Sequence, residues 1–381
     1  MATYIGTTSA DILTGSVGND SLFGSDGNDI LYGAGNGNDT LNGGTGNDTM
    51  IGGIGNDYFY VDSNSDIVVE AAASGTDTIV SSVSTLSSGI AANVENLTLT
   101  GSAYWGDGNS LNNVITGTSL ANYLIGNAGN DTLNGLAGND YLNGGTGTDS
   151  MVGGTGNDTY YLDTTADIVV EAAASGTDTI VSSVSTLVSG IAANVENLTL
   201  TGSAYYGDGN SLNNVITGTS LANSLYGNAG NDTLIGGAGN DYVSGGIGDD
   251  VIQGQTGNDS LYGSTGADRF VIADKGTANR DTLGDFSHVD DTIVLSDLLD
   301  GSANSAITGL VFSSGTLSSG WYFEGAGFNG NGSQLSGIFV DTTSGNIWYN
   351  PTSTTTGDSQ LLAVVGSAVA ATLDNTDFVY G

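Results

Sequence analysis

A nine-residue unit, G-G-x-G-N-D-x-U-x with U apolar, recurs through this chain and decides what the chain can fold into. Between positions 43 and 57 the sequence reads GGTGNDTMIGGIGND, one complete unit and most of a second. Glycines at the first, second and fourth places supply the positive-φ conformations of a tight turn. They also leave the backbone carbonyls of that turn uncovered. Asp48, at the sixth place, sets a carboxylate beside those carbonyls, and Thr49-Met50-Ile51 makes a three-residue strand with one side chain facing inward. A tight turn and a very short strand, copied many times, predict an all-β chain of stacked coils, a parallel β-solenoid.

The unit can be followed by its sixth-place aspartate. Asp11, Asp20, Asp29, Asp39, Asp48 and Asp57 are nine residues apart except for one step of ten, where Gly33 is expected as a one-residue bulge. The eighth places are Leu13, Leu22, Leu31, Leu41, Met50 and Phe59, so one apolar side chain per unit fills a narrow core. From Asp66 the unit blurs into DIVVEAAASGTDTIVSSVSTL and IAANVENLTLTGSAY, still rich in valine, isoleucine and threonine. These segments read as wider coils of the same solenoid, with EAAAS a short helical turn as the alternative. GNSLNNVIT at 108–116 and GTSLANYLI at 117–125 keep the spacing but carry Asn113 and Asn122 at the sixth place. With Leu111 and Leu120 replacing the fourth-place glycine, these coils are expected to hold together through asparagine ladders and packing, without metal.

The full unit returns at Asp131, Asp140, Asp149 and Asp158, and then the arrangement is copied. Residues 66–86 are identical to 167–187, and 106–122 to 207–223, each at an offset of 101. Asn214 therefore repeats Asn113, and Asp232, Asp241, Asp250, Asp259 and Asp268 close the series over Leu234, Val243, Ile252, Leu261 and Phe270. The pattern divides the chain at 1–62, 63–163, 164–271 and 272–381, the last an aromatic, strand-like region with WYFE, GIFVD, NIWYNP and DFVYG. About 15 coils spaced roughly 4.8 Å apart would make a rod on the order of 70 Å long.

Charge then says what the turns must hold. The chain has 41 acidic residues against 3 Lys or Arg, a net charge of −38, which would drive an uncompensated compact state apart. Divalent cations resolve the conflict, and no basic patch exists to recruit nucleic acid. Calcium accepts six to eight carboxylate and carbonyl oxygens in flexible geometry, whereas magnesium keeps its waters. Zinc lacks its usual ligands in a chain with one histidine and no cysteine. The absence of cysteine also excludes disulfides. The first residues, MATYIGTTSADIL, lack the basic and apolar regions of a conventional signal peptide, and no stretch is apolar for the length of a membrane span. His288, flanked by Asp285, Asp290 and Asp291, has no nucleophile to serve and is expected to be solvated. G-x-G-x-x-G at 325–330 has no βαβ context and reads as a glycine-rich hairpin.

The nonapeptide resembles that of the haemolysin-type, or RTX, calcium-binding family, over roughly residues 1–300. DTLGDFSHVDDTIVLSDL at 281–298 is similar to the segment that closes RTX rolls. The resemblance implies a right-handed parallel β-roll in which two nonapeptides make one coil and each aspartate stacks near the one about 18 residues later. It implies calcium between stacked turns, held by aspartates and turn carbonyls: Asp20, Asp29, Asp39, Asp48, Asp57, Asp131, Asp140, Asp149, Asp158, Asp232, Asp241, Asp250, Asp259 and Asp268, with Gly44, Gly46, Gly145, Gly147, Gly246 and Gly248. It also implies export by an uncleaved C-terminal signal.

Three functional classes follow. One is a secreted calcium-dependent structural protein of a cell surface or extracellular matrix, such as a layer, filament or adhesin. Another is the non-catalytic module of an RTX toxin or enzyme, disfavoured because repeats begin by Asp11 and leave no room for a catalytic domain. The third is an ice-binding adhesin segment, disfavoured because the third places mix Val17, Asp26, Thr45, Ile54 and Ala128 instead of a regular threonine row. The reading is the first class, not an enzyme. The chain is expected to be disordered until calcium binds, and to self-associate end to end through an uncharged N-terminal coil.

Overall fold

The computed structural model describes residues 1–72, 75–84, 90–185, 191–273, 278–296, 310, 312–314, 316–326, 328, 336–351 and 359–380. Residues Met1–Val181 and Ser182–Gly381 form two compact units. The fold is all-β, and each unit is built on a parallel β-solenoid.

In the first unit, one face is a ten-stranded sheet running from Ala2–Ile5 through Asp20–Asp26, Thr40–Thr45 and Tyr58–Val61 to Ile168–Val170. The opposite face begins with Ile12–Thr14, Ile30–Tyr32, Thr49–Ile51 and Ile67–Val69, and continues separately as Trp105–Asp107, Tyr123–Ala128, Tyr141–Thr146 and Thr159–Leu162. Strands on one face alternate in sequence with those on the other. Two nonapeptides thus make one coil, and Thr132 pairs with Ser150, 18 residues on. That register puts each eighth-place side chain on the one from the preceding coil, Leu22 on Leu41, Leu41 on Phe59 and Leu31 on Met50. All five are fully buried, at roughly 1.5–3 kcal/mol apiece for side chains of this size. Leu13 and Val68, expected inward by the same logic, are only half-buried. They lie in the first and last strands of the four-stranded sheet, where one side of the stack is not covered.

Outside the coils, strand spacing lines up aromatic rings. Trp105, Tyr123, Tyr141 and Tyr161 follow one another at centroid distances of 4.2, 3.8 and 4.4 Å. The second unit repeats the column with Tyr206, Tyr226, Tyr242 and Tyr262 at 5.4, 5.6 and 5.1 Å. Its parallel strands include Val215–Thr217, Thr233–Ala238 and Val251–Thr256 on one face, and Ser224–Ala229, Tyr242–Ile247 and Ser260–Thr265 on the other. The C-terminal region extends both faces. Gln360–Val364 pairs parallel with Asp281–Leu283, then turns antiparallel through Asn346–Asn350 and Gly337–Asp341, with Tyr322–Gly325 parallel at the edge. Phe378–Tyr380 pairs with Thr292–Leu295. The four aromatic stretches of the tail are therefore strands that cover the last coil.

One local alternative falls away and one local expectation is corrected. EAAAS is a non-helical turn in its second copy at 171–175; Ala73 and Ser74 of the first copy lie outside the described residues. The ten-residue step is not accommodated at Gly33, which sits at the first place like its counterparts, facing Asp39 Oδ2 and the Gly52 carbonyl. Gly37 takes the fourth place against Gly18, so the extra residue belongs to Gly35-Asn36, where Gly35 has φ of 69°. A turn tip facing outward absorbs an insertion without disturbing the inward stack.

The second place of thirteen turns is left-handed whether or not it is glycine: Leu136 has φ of 77°, Ser25 84° and Asn127 80°. For a bulky L-residue this conformation costs about 1 kcal/mol or more. Leu136 is 44% exposed, so replacing it forfeits little burial. Leu136→Gly is expected to raise stability in saturating calcium by about 1 kcal/mol, partly offset by added freedom of the unfolded chain. Urea unfolding reads this, and an unchanged or lower midpoint overturns it.

Candidate metal centre

The sixth-place carboxylate does two jobs with its two oxygens. One oxygen ties coil to coil. Asp149 Oδ1 accepts the Asp131 N–H at 2.8 Å, Asp158 Oδ1 that of Asp140 at 2.8 Å, and Asp250 Oδ1 that of Asp232 at 2.8 Å. The same bond joins Asp39 to Asp20, Asp48 to Asp29, and Asp57 to Asp39. Because the donor belongs to the coil one turn of the solenoid earlier, each aspartate is fixed by its neighbour's backbone.

The fate of the second oxygen divides the turns into two kinds. In closed turns the second-place N–H donates back to the sixth-place side chain: Thr7 to Asp11, Ser16 to Asp20, Asn109 to Asn113, Thr118 to Asn122 and Ser287 to Asp291. In open turns the left-handed second place points its N–H elsewhere. Asp29, Asp39, Asp48, Asp57, Asp131, Asp140, Asp149, Asp158, Asp232, Asp241, Asp250 and Asp259 then each keep a buried Oδ2 with no hydrogen-bond partner. These residues are at most 2% exposed. Leaving twelve buried carboxylate oxygens unsatisfied is untenable for a protein with no Lys, Arg or His before residue 269.

What surrounds the free oxygen is more oxygen. A Cβ built on Gly24 would stand 2.2 Å from Asp29 Oδ2 and 2.4 Å from the Gly43 carbonyl, so carboxylate and carbonyl converge from successive coils. The second and fourth places bring carbonyls together in the same way. Gly44, at φ of 84°, sits against the Ser25 carbonyl, and Gly46, at 149°, against that of Gly27. Gly145 faces Asn127, Gly147 Gly129, Gly246 Asn228 and Gly248 Gly230 through the same carbonyl contact. No side chain fits there. Aspartate oxygens and bare carbonyls on a flexible frame suit a hard cation of calcium's size.

Burial raises these carboxyls while no cation neutralises them. Asp57, Asp140 and Asp250 are pushed up to about 7, and Asp149, Asp241 and Asp268 to about 6, first by burial and then by neighbouring carboxylates, against the aspartates' backbone hydrogen bonds. Asp20 goes the other way, lowered chiefly by the Ser16 N–H.

Of the fourteen aspartates expected as ligands, the structure places thirteen in open turns. Asp20 sits in a closed turn, where Ser16 N–H and Oγ both donate to its Oδ2. Asp268 follows a left-handed Ser264 (φ 74°) and belongs to the open kind. The asparagine coils form by a different rule from an asparagine ladder. Asn113 Nδ2 donates to the carbonyls of Val94 and Glu95, occupying with a hydrogen-bond donor the region that an open turn leaves to oxygens. Asn122 and Asn214 do likewise with Ala103 and Glu196. His288 is not a free solvated side chain: its Nδ1 lies 2.9 Å from the buried Asp377, linking the closing segment to the last turn of the chain. The G-x-G-x-x-G stretch lies partly outside the described residues, as does Lys275. Glu70, Asp77, Glu171 and Asp178, buried beside open turns, were missed because the irregular coils hide them from the nonapeptide register.

A model of the RTX calcium-binding nonapeptide repeat matches residues 5–35, 34–68, 107–142, 125–160, 135–169, 208–243 and 244–271, just over half of the chain. No curated protein sequence matches the chain. Among solved structures it is similar to the solution structure of the AlgE6R3 subunit from the Azotobacter vinelandii mannuronan C5-epimerase, at 22% identity and a TM-score of 0.20. The match covers 45% of this chain and 80% of that one.

The two kinds of turn generate opposite expectations. Asp149→Asn is expected to lower the number of calcium ions bound, whereas Asn113→Ala should leave the number unchanged. The latter strands two carbonyls and so costs about 1–3 kcal/mol of stability. Titration calorimetry paired with thermal unfolding separates them; equal ion counts for wild type and Asp149→Asn would refute the assignment.

A pH dependence follows from the raised carboxyls. A group whose folded pKa lies above its unfolded value stabilises the fold below the unfolded value, and that contribution is lost as pH rises through the folded one. In excess chelator, where the chain is disordered at neutral pH, β content is therefore expected to rise as pH falls from 7.5 toward about 4. Saturating calcium should remove or reverse that trend. A chelated chain whose circular dichroism is the same across this window contradicts it.

Proposed function

The chain belongs to the family of RTX calcium-binding nonapeptide-repeat proteins, and on that premise we propose that it is a secreted structural protein whose solenoid sets only when calcium binds. The observation that carries this reading is the row of twelve buried aspartate oxygens without partners, in a protein of net charge −38. Inside a cell, where calcium is scarce, such a chain stays a self-repelling polyanion; outside, at roughly millimolar calcium, its turns fill. Ion binding and folding then become one event. Export through an uncleaved C-terminal signal and a place at the cell surface or in the matrix are part of the proposal. Among the described residues no helix is long and apolar enough to cross a membrane.

The proposed role is mechanical and non-catalytic, as a layer, filament or adhesin-like element. End-to-end assembly is supported by the contrast between the ends. Strands Ala2–Ile5 and Ile12–Thr14 each hydrogen-bond a neighbour on one edge only among the described residues, with Ile5 and Ile12 both 71% exposed. The last coil is covered by the C-terminal strands. An open strand edge invites another chain, and a head-to-tail contact that does not close yields a filament or lattice.

A calcium titration followed by circular dichroism and light scattering tests both halves. The expected course is a disordered spectrum in chelator, β structure appearing with calcium, and scattering that grows once the fold is complete. Full β content in chelator overturns calcium-dependent folding. A calcium-saturated protein that stays monomeric at tens of micromolar overturns assembly alone.

A further inference from the structure

Glu70 and Glu171 break the turn rule at equivalent positions 101 residues apart. Each occupies the first place of a turn, where Gly52 and Gly153 stand one coil earlier, and each is buried, at 6% and 8% exposure. A first-place side chain has nowhere to go but inward. Glu70 Oε2 lies 2.3 Å from where a Cβ on Gly52 would be, and Asp57 Oδ2 lies 2.4 Å from the same point. Two carboxylates from successive coils thus converge on one glycine. A third, Asp77, closes the group, and the ligand-bearing oxygens of Asp57, Glu70 and Asp77 all lie within 4.8 Å of one another. Asp158, Glu171 and Asp178 repeat the cluster under the same limit.

In each cluster the backbone takes one oxygen per carboxylate. Asp57 Oδ1 accepts from Asp39 N–H at 2.7 Å, Asp77 Oδ1 from Asp57 N–H at 2.8 Å, and Glu70 Oε1 from Ala71 N–H at 2.8 Å. The second copy matches it through Asp140, Asp158 and Ala172. Asp57 is 0% and Asp158 1% exposed, and the Oδ2 of each, aimed into its cluster, has no hydrogen-bond partner. The copies differ in one wall residue: Phe59 in the first, Tyr160 in the second, whose hydroxyl donates to Glu171 Oε2. No side-chain cation is available to either, since the first basic residue is Arg269. Three carboxylates in the interior of a coil without a counter-charge repel strongly. Two ligands of a calcium at about 2.4 Å can stand at most about 4.8 Å apart, and the three oxygens meet that condition pairwise.

We propose that Asp57–Glu70–Asp77 and Asp158–Glu171–Asp178 are three-carboxylate calcium sites, built differently from the single-aspartate turns and placed where each regular block meets its wide coil. Glu70, Asp77, Glu171 and Asp178 lie beyond the nonapeptide matches, which end at residues 68 and 169, and Asp57 and Asp158 lie inside them. A cation here would clamp the last regular turn to the irregular coil, whose turn carries glutamate at the first place and keeps Gly75 and Gly176 against the carbonyls of Gly55 and Gly156. The proposal rests on calcium as the ion of the open turns, and its test separates the two.

Glu70→Gln, Glu171→Gln and the double variant are made in the full chain, and bound calcium is counted by equilibrium dialysis and atomic emission. Glutamine preserves shape and mimics a protonated glutamate. The expected result is one calcium fewer in each single variant and two fewer in the double, with the β spectrum retained at saturating calcium. An unchanged count in the variants while wild type binds calcium overturns the clusters and leaves the turn sites standing. If a variant does not fold, anomalous difference maps from crystals of the calcium-loaded wild-type chain decide. A peak among Asp57, Glu70 and Asp77 upholds the site. Peaks confined to the turns overturn it, and no calcium anywhere removes the turn reading as well.

Discussion

The bond from a sixth-place carboxylate to the backbone N–H of the preceding coil is the interaction on which the rest depends. It fixes the coil register together with the strand hydrogen bonds, and in doing so forces like charges into a column at the spacing of β-strands. No rearrangement within residues 1–268 can relieve this, because the segment contains no basic side chain. Electrostatics therefore opposes the same geometry that hydrogen bonding favours. A cation between the turns reverses the sign of the column, turning the least favourable feature of the metal-free chain into its cross-link. On the proposed reading, folding and ion binding are one event.

Backbone conformation at the second place selects which carboxylates face this demand. A left-handed residue there withdraws an N–H that would otherwise satisfy the aspartate, as Ser16 satisfies Asp20. Leu136, Ser25 and Gln255 adopt the same conformation without being glycine. The strain of a left-handed leucine makes sense as part of keeping Asp140 Oδ2 available. Glycine at the fourth place answers a different need, since any Cβ on Gly46 would meet the Gly27 carbonyl at 1.5 Å.

Much of this was legible in the sequence because period and chemistry agree. Asp at the sixth place and an apolar residue at the eighth fix the turn, the strand and the inward side chain together, so the solenoid and its stacked core follow from Asp48 and Met50 repeated. Asp20 was not distinguishable from Asp29 by that rule, since the difference lies in what Ser16 and Ser25 do with their backbones. Gly33 attracted the bulge because glycine is permissive, yet an inward first place cannot absorb an insertion and an outward tip at Gly35-Asn36 can. Glu70 and Glu171 were invisible for a third reason. They occupy a glycine place in coils where the motif has dissolved, and only the three-dimensional stack brings them to Asp57 and Asp158.

The order of closed and open turns along the chain gives the arrangement a further logic. Open turns ending at Asp29 to Asp57 follow the closed turns of Asp11 and Asp20 and precede that of Asp66, where Asp62 N–H donates to the carboxylate. Those ending at Asp131 to Asp158 lie between the closed turns of Asn113 and Asn122 and that of Asp167. Those ending at Asp232 to Asp268 lie between the turns of Asn214 and Asn223 and that of Asp291. Every block that needs cations is preceded by two turns whose hydrogen bonds are complete without them and followed by one such turn, while the turns of Asp57 and Asp158 meet the carboxylates of Asp77 and Asp178. Starting a coil costs more conformational entropy than adding to one, because the first closure fixes many dihedrals for little contact. Metal-independent turns at the start of a block lower that cost where it is highest. Cations would then propagate the coils that follow, where each ion would also cancel repulsion on both sides.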